Sequence, residues 1–89
     1  MREYKKVYGY VLDRNGMHNG KQLIKGSLDS ISDFIVKHPY NNCIITDLND
    51  EFILSSMFGF IDRCPDEEFL EALRDVIIPK QTMEEMYMK

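Results

Sequence analysis

The chain predicts a two-layer α+β domain in the order ββαββα, with a four-stranded, mostly antiparallel sheet and two helices packed on one face. Three observations carry that expectation. Two β-rich apolar runs, Cys43–Leu48 and Phe52–Ile61, flank the polar pair Asn49-Asp50, which is hairpin chemistry. Leu28, Ile31, Phe34 and Ile35 recur at helical spacing after Ser27. Phe69, Leu70, Leu73, Val76 and Ile77 do the same after Pro65.

Each element follows in order. Glu3 to Leu12 reads as the first strand, with Tyr8, Tyr10 and Leu12 on one face and Val7, Gly9 and Val11 on the other. Both faces are partly apolar, so the strand is expected to be central. Gly9 marks a bulge or a close approach of a helix. Asn15-Gly16 and Asn19-Gly20 are turn signals, and Lys21 to Lys25 completes the first hairpin. Ser27 then caps a helix that places Asp29 in its first turn, and Pro39 ends it. The central hairpin runs from Cys43 to Leu48 and again from Glu51 onward. Phe52, Leu54, Ser56, Phe58 and Phe60 alternate with Ile53, Ser55, Met57, Gly59 and Ile61. The pattern leaves open whether Gly59 ends the second strand or bulges it.

Pro65 suits a first helical position, and Asp66, Glu67 and Glu68 fill the first turn with favourable charge. Pro79 is expected to stop this helix. Residues 1–79 are therefore taken as the domain, and 80–89 as a tail or short helix with a capping box at Thr82 and Glu85 and the methionines Met83, Met86 and Met88.

At 89 residues there is room for one core. No apolar run reaches the length of a membrane span and no leader is recognisable, so the expected compartment is the cytoplasm. Two cysteines, Cys43 and Cys64, suit that setting as free thiols. Net charge is −4, but Met1–Gly26 carries six basic residues against two acids, and Ser27–Lys89 carries five against thirteen. Such asymmetry fits either two solvated faces or a surface for a charged partner.

Chemistry-bearing motifs are scarce. Asp47-Leu48-Asn49-Asp50-Glu51 resembles the start of a calcium loop, but the glycine and glutamate such a loop needs fall on Phe52 and Phe58. A solvated turn accounts for it better, and neither a metal nor a cofactor is expected. Cys64 precedes a helix start, where thiolates are favoured, yet Asp66, Glu67 and Glu68 oppose that charge. His38 belongs at the end of the first helix, for dipole reasons. No phosphate loop, nucleophile elbow or paired-histidine motif occurs. Catalysis through Cys64 or His38 is the third choice, and no enzyme is expected.

Two binding functions remain. The first is a non-catalytic protein-binding module. It would be an adaptor, or an inhibitor of the kind phages and mobile elements encode, docking on a basic groove of a larger nucleic-acid-handling protein. Its contacts would be Met57, Phe58, Phe60 and Asp62 with the acidic helix residues Glu68, Glu71 and Asp75. Exposure of Met57–Cys64 would make that segment the first contact surface, and burial would transfer the role to the helix. The second is nucleic-acid binding through Arg2, Lys5, Lys6, Lys21 and Lys25, with tyrosines available for stacking. Overall acidity opposes it. The expected state is a monomer or a homodimer.

Overall fold

In the computed structural model, which describes residues 2–13 and 18–87 (side chains of 18, 19 and 82–87 excepted), the α+β class is realised with five strands rather than four. The elements are β1 Lys6–Leu12, β2 His18–Lys25, α1 Leu28–Val36, β3 Asn42–Thr46, β4 Phe52–Met57, β5 Phe60–Arg63 and α2 Glu67–Tyr87. One antiparallel sheet runs in the order β2-β1-β3-β4-β5. β1 is thus flanked on both sides, as its two partly apolar faces require.

The core lies between the sheet and the helices. Val7, Cys43, Ile45, Ile53 and Leu54 meet Ile31, Phe34 and Ile35 of α1 and Phe69, Leu73 and Ile77 of α2. Gly9 is there because α1 sits directly over it: a Cβ at that position would lie 2.7 Å from the tip of the Phe34 ring. Of the two readings of Gly9, close approach is the one realised. Ser27 caps α1 by accepting a hydrogen bond from the Ser30 amide at 3.2 Å.

Several expectations need correction, among them the turn at Asn19-Gly20, which lies inside β2. The apparent continuation of β4 is a separate strand. Phe58 and Gly59 both take positive φ, 54° and 81°, and form a two-residue turn that pairs Met57 with Phe60. Phe52 does not share a face with Leu54, because a bulge between Ile45 and Thr46 pairs Ile45 with Leu54 but Thr46 with Phe52. The central turn is longer than a two-residue hairpin. β3 ends at Thr46, Asp50 takes φ 62°, and the Asp47 carbonyl accepts from the Asp50 amide. Finally, α2 passes through Pro79 without stopping. Lys80 and Gln81, the next two residues, are both anchored: Lys80 reaches Asp29 and Asp33 of α1 at 2.6 Å each, and the Gln81 amide donates to the Gly59 carbonyl. These ties hold the helix across the residue that lacks an N–H.

At the other end of α2 the cap is Asp66, whose carboxylate accepts from the Phe69 amide, so Pro65 lies one step outside the helix. The expected turn at Asn15-Gly16 and the side chains of Thr82, Met83, Glu85, Met86 and Met88 lie outside the described residues.

Candidate contact surface

Both helices cover one face of the sheet and leave the other open. Strand alternation and register put Lys6, Tyr8 and Tyr10 of β1 on the open face, paired with Lys25, Leu23 and Lys21 of β2. On the other side of β1, Tyr8 meets Thr46 and Tyr10 meets Ile44. Phe52, Met57, Phe60 and Arg63 continue the same face across β4 and β5. It is apolar for a surface: Leu23, Phe52, Met57 and Phe60 are all exposed.

Charge is interleaved with these groups. Lys21 lies over the Tyr8 ring, its Nζ 4.3 Å from the centroid, and Arg63 lies over Phe52 at 5.7 Å. The Tyr10 hydroxyl donates to Asp50 at 2.9 Å, and Lys21 approaches the same carboxylate at 3.7 Å. Partial desolvation, reinforced by that carboxylate, holds the Tyr10 hydroxyl pKa above its ordinary value.

At one end of this face stands the β4–β5 turn. Phe58 is 63% exposed and sits in the left-handed region, where a bulky residue is a true outlier. Gly59 beneath it is buried against Pro39, and Gln81 fixes its carbonyl. The turn is therefore held from behind while Phe58 points out. A groove lined by Phe60, Ile61, Arg74, Ile77, Ile78 and Gln81 follows the outer edge of β5.

Which of the residues singled out in the sequence come together? Met57, Phe58 and Phe60 do, and Asp62 is exposed further along β5. Glu68, Glu71 and Asp75 are exposed on α2, behind the sheet. Helical spacing sets Glu68 on the flank away from Arg74 and Gln81, with Asp75 between it and Ile78. The protein-binding set thus divides between two surfaces. The basic set divides as well: Lys6, Lys21 and Lys25 share the open face, while Lys5 precedes β1 and Arg2 lies over Tyr4, whose ring packs edge-on against Phe69 of α2. Sequence reasoning missed Leu23, Phe52 and Arg63. Alternation groups Phe52 with Leu54 because the bulge is silent in that pattern, and Arg63 belongs to a fifth strand that the pattern does not mark.

The remaining chemistry is local. Asp47 uses one carboxylate oxygen to accept from the Asn49 and Glu51 amides, at 2.8 and 3.0 Å, and so shapes its own turn. Among the described residues, no three acidic, histidine or cysteine side chains are grouped to hold a metal. Burial pushes the Cys64 thiol up, which works against thiolate formation at neutral pH. His38 packs its ring edge on Phe34, with centroids 5.1 Å apart.

No family model, curated protein or solved structure matches the chain. Among the described residues, no helix is long and apolar enough to cross a membrane.

Proposed function

We propose that the protein is a non-catalytic binding module for another protein, with its contact surface centred on the β4–β5 hairpin. The observation that carries this reading is Phe58. A phenylalanine at φ 54° costs about 1–3 kcal/mol of backbone strain. Its exposure recovers little of that through burial. Glycine or asparagine would make the same turn without the cost. Such a residue fits an interface anchor, where aromatic side chains dominate binding energy. Met57 and Phe60 flank it and widen the apolar contact.

The test is site-directed photo-crosslinking in cells that make the protein. Benzoylphenylalanine in place of Phe58 or Phe60 should yield a discrete, protease-sensitive adduct, and the same probe at Glu71 should not. Adducts at Glu71 alone would move the contact to α2 and refute this surface. Adducts destroyed by nuclease would refute a protein partner.

A further inference from the structure

We infer that the segment of the partner lying across the open sheet is acidic, with carboxylates spaced around apolar side chains. This rests on the protein-binding reading above and adds to it the chemistry of the partner. Three observations carry it.

The first is a repulsive pair. Lys6 stands directly opposite Lys25 on the open face, an arrangement that destabilises a sheet and that an anion would relieve. The second is the height of the charges. Lys21 and Arg63 lie over rings rather than beside them, so their charged ends cap the face, with Lys21 shared with the Asp50 carboxylate 3.7 Å away. A carboxylate laid on the sheet meets them first, while Leu23, Met57 and Phe60 remain open to apolar groups. The third is the polarity of the molecule. Glu68, Glu71 and Asp75 lie on the helix layer, so an anionic segment is turned towards the sheet and away from α2.

Nucleic acid is the rival polyanion, and the geometry favours it less. Stacking needs bare ring faces, and Tyr8 and Phe52 have theirs covered by Lys21 and Arg63. A short acidic segment responds to the local field within a Debye length, roughly 8–10 Å. A long polyanion also meets the net charge of −4.

Amide NMR titration of the full chain decides the matter, with three probes: a short synthetic peptide alternating Glu with Leu and Phe, its twin with Lys for Glu, and an oligothymidylate. The acidic peptide should shift Lys21, Leu23, Phe52 and Arg63. Its affinity should fall roughly tenfold or more in the Lys21→Glu, Arg63→Glu double variant. It should be unaffected by Glu68→Lys with Asp75→Lys. Circular dichroism checks that each variant is folded, and Lys21→Gln with Arg63→Gln is the milder pair. Preference for the basic twin, shifts confined to α2, or binding of oligothymidylate alone would overturn the inference. A silent acidic peptide alongside intact crosslinks at Phe58 overturns the charge assignment alone. Loss of those crosslinks removes the protein-binding reading beneath it.

Discussion

Phe58 and Gly9 show how far single residues set this surface and its support. Replacing Phe58 by glycine releases the left-handed strain, so the variant should be more stable by about 1 kcal/mol while weakening the crosslink from a probe at Phe60. Thermal denaturation reads the first effect. A lower melting temperature would show that the ring stabilises the fold rather than serving a partner. Gly9 runs the other way. An alanine there would drive a Cβ into the Phe34 ring, and overpacking of this kind costs about 1–3 kcal/mol. Phe34→Leu should recover part of that loss, since the two residues are in contact and their effects should not add. Gly9 was legible in the sequence because a glycine inside a strand pattern has few explanations. Phe58 was not: nothing in a phenylalanine marks a turn, and the alternation of Phe52 to Phe60 reads straight through it.

At the scale of elements, α1 and the central strand β1 were the most readable, because their apolar spacing, Ser27 cap and Pro39 stop all agree. The end of α2 was misread for a physical reason. Proline weakens a helix by removing an amide, but tertiary ties outweigh that local preference. Lys80 is the tie that can be tested. In Lys80→Met, amides beyond Pro79 should exchange faster in hydrogen-exchange measurements. The global loss should be about 1 kcal/mol or less, because Asp29 and Asp33 are partly exposed. Unchanged exchange would mean that α2 holds itself together past Pro79. The faces of β4 were half legible. Leu54 and Ser56 point inward as alternation requires, but the bulge at Ile53 turned Phe52 outward, and only pairing with β3 reveals it.

Over the whole molecule, the charge asymmetry visible in the sequence turns into a difference between two layers rather than between two ends. Lys6, Lys21, Lys25 and Arg63 come from three strands, and only the strand order brings them to one face. Titration also behaves collectively. Burial raises the pKa values of the Cys43 and Cys64 thiols and of the Tyr4 hydroxyl, desolvation with Asp50 raises that of Tyr10, and Asp29 and Asp33 raise that of Lys80. Each group holds its proton longer when folded than when unfolded. Their stabilisation is therefore complete below the unfolded values and is lost as pH rises through the folded ones. Chemical denaturation should show stability falling as pH rises through about 8.5, where unfolded cysteine is half ionised, and continuing through the tyrosine and lysine range. Stability that rises across that range would contradict the burial of the two thiols. The strand order also gives the chain an uneven mechanical response. Because β1 is hydrogen-bonded to both β2 and β3, a pull on the N-terminal side must shear two ladders together. A pull on the C-terminal side peels away α2 and then the short β5, one after the other. The two ends of the same small domain should therefore yield at different forces.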